Sequence, residues 1–235
     1  MRVAVTREEG HNHALLERLS GLNCFEIPCI TTIPIDGAGE LADVILEHDY
    51  AVITSPHAAA VFDEAWKNIG SPPGVKVVSI GQGTTKALKH FGINPVFEPS
   101  QSTGEALAKE LPLSLGRKAL YPCSQLASHE ISEVLAERGV TVTRLETYTT
   151  VAAKHWTPAM AQLAKTIEVA TFASPSAIQH WAAKVGTDAK AVVIGPTTAA
   201  EARRVGFKKV YAPEGSDGLD PFAELIRSVA LEEVQ

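Results

Sequence analysis

The chain contains no apolar run approaching the roughly 18 residues that a membrane span requires, and it passes straight into a strand-like segment at Arg2. Neither a transmembrane anchor nor an export signal is expected, and a cytoplasmic protein is. Cysteine is scarce: Cys24, Cys29 and Cys123 are the only three. An odd set on apolar, strand-like segments excludes a disulfide framework and reads as reduced, buried thiols rather than zinc ligands or a nucleophile. Positive charge is in deficit too, since a formal net charge of −6 over 235 residues leaves no extended surface for nucleic acid. No phosphate loop of the G-x-x-x-x-G-K-[ST] type occurs, and Gly81-Gln82-Gly83 runs into Thr84-Thr85-Lys86 instead of completing a dinucleotide fingerprint. What remains, with 45% hydrophobic and 20% charged residues, is long enough for two modest globular domains.

One pattern occurs twice. Ile53-Thr54-Ser55-Pro56 precedes Ile80-Gly81-Gln82-Gly83-Thr84-Thr85, and Phe172-Ala173-Ser174-Pro175 precedes Ile194-Gly195-Pro196-Thr197-Thr198. Gly81 and Gly195, Thr84 and Thr198, Gly92 and Gly206, Pro99 and Pro213, Ser102 and Ser216, and Gly104 and Gly218 all lie 114 apart. Ser55 and Ser174 lie 119 apart, so the first copy is five residues longer between its two turns, and the Gly70-Ser71-Pro72-Pro73-Gly74 loop is the natural place for the extra length. Upstream the match weakens to Arg2-Val3-Ala4-Val5 against Arg117-Lys118-Ala119-Leu120 and Ile30-Thr31-Thr32 against Tyr148-Thr149-Thr150. The chain is an internal duplication.

Short β-branched runs at Val3–Thr6, Phe25–Pro28, Tyr50–Thr54, Val75–Ile80 and Pro95–Phe97 alternate with helical patterns at Leu15–Leu19, Leu41–Glu47, Ala58–Trp66 and Thr84–Phe91. The second copy predicts strands at Ala119–Tyr121, Val140–Leu145, Val169–Ala173, Ala191–Ile194 and Lys209–Tyr211. Two sets of five suit an α/β protein with two small, parallel, doubly wound sheets. Ligands of such sheets collect outside the carboxyl ends of the strands. There Ser55-Pro56 and Ser174-Pro175 each offer a hydroxyl N-cap followed by proline at the first helical position, leaving unpaired N–H groups and a positive dipole end. The Gly81 and Gly195 turns repeat the arrangement with threonine hydroxyls alongside. Four such helix starts can hold carboxylates or phosphates without many lysines, although any one of these hydroxyls is more often a simple cap.

Ile27 to Asp36 and Leu145 to Lys154 are extended, Thr- and Pro-containing segments suited to pairing as a two-stranded hinge. Tyr148, between Thr147 and Thr149, is placed to present a phenol to a cleft as a hydrogen-bond donor or weak acid, or simply to anchor the ribbon.

In order along the chain, Val5-Thr6-Arg7, Ile53-Thr54-Ser55, Ile80-Gly81, Tyr148-Thr149-Thr150, Phe172-Ala173-Ser174-Pro175-Ser176 and Ile194-Gly195-Pro196-Thr197-Thr198-Ala199 resemble the pattern of the uroporphyrinogen-III synthases. Each motif alone is unspecific, and the ordered set spans most of the chain. The resemblance implies two flavodoxin-like domains joined by a two-stranded β linker, one built from 1–34 plus 152–235 and the other from 35–151. It implies a lyase that cyclises the linear tetrapyrrole hydroxymethylbilane with loss of water and inversion of the last pyrrole ring. It also implies no cofactor, no metal, a monomer, and at most a transient contact with the preceding enzyme of the pathway. Departure of the hydroxyl group leaves an azafulvene that reacts at the substituted carbon of the terminal ring, giving a spiro intermediate that fragments and recloses.

On that reading Tyr148 helps the hydroxyl leave. The carboxylates of the substrate meet Arg7, Ser55, Gly81, Thr84, Ser102, Ser174, Ser176, Thr197 and Thr198, because a net negative protein must bind a polyanion through local donors. Where the pattern implies a more basic turn, this chain has Cys123-Ser124-Gln125. His11 and His13 are too few for zinc. Asp36, Asp43, Glu47 and Asp49 suit a solvated helix face, and Phe62, Trp66, Phe91, Trp181 and Phe207 suit packing. Trp156, beside the hinge, is the aromatic best placed to meet a pyrrole. A hinged binding module without turnover shares all the architectural features and stays open at this level.

Overall fold

The structure is a computed structural model that describes residues 1–72, 74–214 and 218–232. Pro73 and Ser216 lie outside the described residues. Along the chain come β1 (Arg2–Val5), α1 (His13–Arg18), β2 (Asn23–Glu26), β3 (Ile30–Pro34), α2 (Gly37–Val44), β4 (Tyr50–Ile53), α3 (Pro56–Asn68), β5 (Lys76–Ser79), α4 (Gln82–His90), α5 (Gly104–Glu110) and β6 (Lys118–Ser124). They are followed by α6 (Glu130–Glu137), β7 (Thr141–Ala152), α7 (Pro158–Ala164), β8 (Val169–Phe172), α8 (Pro175–Lys184), β9 (Lys190–Val193), α9 (Pro196–Val205), β10 (Val210–Tyr211) and α10 (Leu219–Leu231). None of these helices is long and apolar enough to cross a membrane.

The chain divides into two compact units, Met1–Thr31 with Thr150–Gln235, and Thr32–Thr149. The first holds a five-stranded sheet in the order β10-β9-β8-β1-β2, all of whose pairs are parallel. Numbered within the unit this is the doubly wound order 2-1-3-4-5. Neighbouring residues of one strand feed opposite faces, as the two-residue period of a strand requires. Ala4 joins Phe172, Ile178 and Trp181 on one side, while Val3 and Val5 join Leu15, Phe222 and Ile226 on the other. The Thr32–Thr149 unit carries the order β3-β7-β6-β4-β5, with β7–β6, β6–β4 and β4–β5 parallel. Here Tyr50 and Val52 face Leu107 and Leu135, and Ala51 and Ile53 face Leu41 and Phe62.

The described residues form two sheets of five strands, the number expected, but the sequence copies are not the sheets. Val3–Thr6 of the first copy pairs with β8 of the second and brings Phe25–Pro28 into that sheet at its edge, because the repeat that folds as one block starts at β4 and β8, and the two remaining strands are supplied in permuted order. β6 and β7 follow that block in one unit, whereas β1 and β2 precede it by the length of the other unit. Register fixes the equivalence. Tyr50 pairs with Ala119 as Val169 pairs with Val3, so Val3 matches Ala119 and the alignment of Arg2 with Arg117 is one residue out.

Pro95–Phe97 is not a strand. It forms a single bridge, Val78 to Phe97, which stands where Val192 meets Tyr211 in β9–β10. The five extra residues of the first copy are divided: α3 has 13 residues and α8 has 10, so three lengthen the helix and the loop takes two. Asp49 is no idle surface acid either. Its carboxylate accepts backbone N–H groups of Arg117 (2.7 Å) and Lys118 (2.9 Å), which start β6, and those two bonds hold it below the usual carboxylate range.

Two glycines of α2 give a test of packing with opposite signs. A Cβ at Gly37 would lie 2.1 Å from the Glu146 carbonyl oxygen on β7, whereas one at Gly39 meets nothing within 4 Å. Gly37→Ala should cost about 1–3 kcal/mol by overpacking, and Gly39→Ala should gain up to about 1 kcal/mol from helix propensity. Urea unfolding of the two variants checks both signs.

Candidate functional site

The carboxyl ends of β4 and β8 each run into a serine in extended conformation, Ser55 at φ −156° and Ser174 at φ −156°. The extended residue turns its side chain back over the first helical turn. Ser55 Oγ accepts from Ala58 N–H at 2.9 Å and Ser174 Oγ from Ala177 N–H at 3.3 Å. Proline at the next position has no N–H to satisfy, so the cap and the ring together set the helix start.

The two turns differ in their second partner. Ser55 Oγ lies 2.7 Å from the phenolic oxygen of Tyr148, and Ser174 Oγ lies 3.1 Å from Ser176 Oγ. Tyr148 reaches its place through an irregularity in the β6–β7 ladder: Cys123 pairs with Glu146 but Ser124 pairs with Tyr148, with a residue inserted on β7. Such a bulge re-aims the side chain that follows it. Gln125 N–H donates to the Tyr148 carbonyl at 2.8 Å and fixes the backbone there. The ring is 7% exposed. Burial pushes the phenol above its ordinary range, the Ser55 bond opposes this and the neighbouring Cys123 adds to it, so the Tyr148 phenol is neutral at physiological pH. The His57 ring centre is 5.9 Å from it.

Sequence reasoning missed a second phenol. Tyr121 on β6, buried in the core, hydrogen bonds to the side chain of Thr54 and is likewise raised, chiefly by burial. Adjacent hydroxyls, Thr54 and Ser55, thus each carry a buried tyrosine. The alternation of β6, with Ala119, Tyr121 and Cys123 on one face, was the available signal. Arg144 was missed too. The Ser124-Gln125 turn lacks a base of its own, and the Arg144 guanidinium from β7 reaches it, donating to Ala127 O at 3.0 Å and pairing with Glu146.

At the second pair of turns Gly81 starts α4 and Gly195 starts α9, neither with a side-chain cap. Ser102 sits over Gly81, where a Cβ would come within 2.0 Å of its hydroxyl oxygen; the structure brings these two expected residues together. Thr84 and Thr198 occupy equivalent buried positions at 4% exposure each, whereas Thr197 is exposed. Thr85 is engaged by Ser79 at 2.6 Å and by Glu98. In the first unit the half-buried Arg7 follows β1 and burial lowers its pKa; a guanidinium remains charged regardless. Its main-chain carbonyl, not its side chain, receives Asn12 Nδ2 at 3.0 Å.

Trp156 is already engaged. Its N–H donates to Pro28 O at 2.7 Å, its ring stands edge-on to Trp181, and Lys184 Nζ lies 4.8 Å over it. His13 faces Glu17 of its own helix at 3.2 Å. All three cysteines are free thiols, with burial pushing Cys29 up to about 12 and Cys123 up to about 11.

Residues 12–218 match the family model described as uroporphyrinogen-III synthase HemD. The chain is 38% identical to the chloroplastic uroporphyrinogen-III synthase of Oryza sativa subsp. japonica over 240 residues, which cover 95% of this chain and 79% of that protein. It is 26% identical to porphyrin biosynthesis protein HemD of Ruminiclostridium josui over 92% of this chain, and spans 46% of that relative's length. Two solved structures share the fold. One is uroporphyrinogen-III synthetase from Helicobacter pylori, with TM-score 0.69, 16% identity and coverage of 97% of this chain and 98% of that one. The other is a mutant uroporphyrinogen III synthase from Thermus thermophilus, with TM-score 0.63, 20% identity and coverage of 99% and 100%.

The contact between Ser102 and Gly81 sets an expectation for this part of the site. Gly81→Ala should displace the Ser102 segment, while Gly83→Ala, with nothing within 4 Å of the new methyl, should not. Amide chemical-shift changes at residues 99–103 in the first variant and not in the second are the expected result.

Proposed function

The chain belongs to the uroporphyrinogen-III synthase family, and we propose that its Tyr148–Ser55 pair is where the protein assists that family's reaction. The enzyme is a hydro-lyase: it converts hydroxymethylbilane to uroporphyrinogen III, closing the macrocycle with loss of water and inversion of the terminal pyrrole ring. The observation that carries the proposal is the 2.7 Å contact between a buried, neutral phenol and a helix-capping serine at the carboxyl edge of a parallel sheet.

The pyrroles themselves push the hydroxyl group out, so the protein has two tasks. It must protonate the departing oxygen, and it must fold the chain so that the substituted carbon of the terminal ring lies nearer the new electrophile than the free carbon does. Tyr148 performs the first. For the second, the substrate's carboxylates meet the helix starts at Ser55, Gly81, Ser174 and Gly195, the hydroxyls of Thr84, Ser102, Ser176, Thr197 and Thr198, and the cation of Arg7. Arg7 supplies a charge that the neutral donors lack. A cleft of about 580 Å³ lined by Asp36, Glu40 and Glu146 has the wrong sign for a polyanion and takes no part.

The linker belongs to the same reading. The chain passes between units at Thr31–Thr32 and Thr149–Thr150, inside the segments 27–36 and 145–154 that serve as hinge. The division into 1–34 with 152–235 and 35–151 is part of the same proposal. Action as a monomer without cofactor, in the cytoplasm, completes the proposal, and reduced thiols support a reducing compartment.

Incubation with fresh hydroxymethylbilane, oxidation and separation of the uroporphyrin isomers tests the assignment. Tyr148→Phe should lower kcat about a hundredfold, the low end of general-acid effects, while type III remains the main enzymatic product. An unchanged kcat would remove Tyr148 as the acid. Arg7→Ala should raise KM with little change in kcat, because it removes binding common to substrate and transition state.

A further inference from the structure

We propose that Ser55 is a positioning residue for Tyr148: its hydroxyl donates to the phenolic oxygen, so that the phenol keeps its proton for the leaving hydroxide. The inference rests on the reading of Tyr148 as the acid, and it turns Ser55 from an expected carboxylate contact into a member of a proton-donating chain.

A serine hydroxyl has one proton to give and two lone pairs. Ala58 N–H takes one lone pair at 2.9 Å, as the cap of a 13-residue helix. In the 2.7 Å contact with Tyr148 either oxygen can donate. If the phenol donates to Ser55, its only proton is committed and nothing is left for the substrate. If Ser55 donates, the phenolic proton is free. The cap favours the second arrangement, since a hydroxyl that accepts from an N–H becomes the stronger donor, and the positive end of the helix adds to this. The chain of donation then runs from Ala58 N–H to Ser55 to Tyr148 to the substrate.

The step balances. The C–O bond of the hydroxymethyl group breaks and its electron pair stays on oxygen, which takes the phenolic proton and leaves as water. The pyrrole nitrogen supplies electrons to the carbon. The phenoxide is held by the Ser55 O–H, a bond that strengthens as charge develops, and regains a proton from the one that ring closure sets free. The groups facing Tyr148 are Ser55 and His57 from the start of α3 and Cys123 and Tyr121 from β6. Cys123 and Tyr121, both raised by burial, add no negative charge at neutral pH.

The test is a double-mutant cycle read in kcat, KM and the pH profile. Ser55→Ala should lower kcat about tenfold, the loss of one bond to a charged oxygen, with KM within about twofold. In the Tyr148→Phe background the same substitution should change kcat less than about twofold, because residues acting through one another are not additive. Ser55→Thr, which keeps hydroxyl and cap, should restore most of the rate. The alkaline limb of kcat should move upward in Ser55→Ala, since the lost donor had held the phenol pKa down. If Ser55→Ala does not fold, Ser55→Gly, which weakens the cap least, carries the same comparison. An equal loss in both backgrounds, or no loss in either, overturns the positioning role and leaves Tyr148 as acid intact. An unchanged kcat in Tyr148→Phe alone overturns both.

Discussion

The contact on which the architecture depends is the pairing of β1 with β8, locked by two buried threonines. Thr6 Oγ1 donates to Thr171 O at 2.6 Å and Thr171 Oγ1 donates to Ala4 O at 3.0 Å. Between these strands the chain leaves, builds all of Thr32–Thr149 and returns. Closing so long a loop costs little more entropy than closing a moderate one, but parallel pairing across that distance is slow to find. The contiguous unit eases the problem. Its first and last strands, β3 and β7, are neighbours in one sheet, and Ile35 N–H donates to Thr147 O at 3.1 Å. Once that unit has folded, the two ends leading to β1, β2 and β8 emerge side by side, and the effective loop is far shorter than the sequence separation.

Much of this was legible in the sequence because the signals were local. Ser55-Pro56 and Ser174-Pro175 mark helix starts by cap chemistry that needs no tertiary partner, and both are where the residues said. The constant spacing of 114 carries through to the β9–β10 contact, where Val78–Phe97 and Val192–Tyr211 are equivalent. What failed was non-local. Pro95–Phe97 lies between the same glycine and proline, Gly92 and Pro99, as its counterpart between Gly206 and Pro213, but forms one bridge, and Val96 in it is 55% exposed. The β1–β6 equivalence was misaligned by one because the short apolar run Val3-Ala4-Val5 fits the longer one from Ala119 in either register until neighbouring strands fix it.

The site shows the same division. The capping role of Ser55 could be read from the turn, whereas its bond to Tyr148 spans 93 residues and depends on a bulge that no periodicity announces. Tyr121 was hidden because a tyrosine in an apolar strand looks like core, which it also is. Arg144 was hidden because sequence inspection asks what lies in the Ser124-Gln125 turn, not which side chain of the adjacent strand folds into it. Thr84 and Thr198, singled out as carboxylate donors, are the buried members of their pairs. At both turns the residue one position earlier, Gly83 or Thr197, is the exposed one.

Duplication supplies two copies of a turn, and permutation makes them chemically different. β6 and β7 flank the Ser55 turn and bring a tyrosine to it; β1 and β2 flank the Ser174 turn and bring none, so that serine turns to Ser176. The difference follows from β7 itself. It runs for twelve residues, from Thr141 to Ala152, and therefore continues beyond the carboxyl edge where its shorter counterpart β2 has already ended. A side chain can stand at that edge, on a rigid strand and beside a helix start, only where a strand is long enough to carry it past the sheet. The strand that leads out of the unit is the one that meets this condition. The same capping turn, present in both copies, therefore carries a buried phenol in one and only a neighbouring serine in the other.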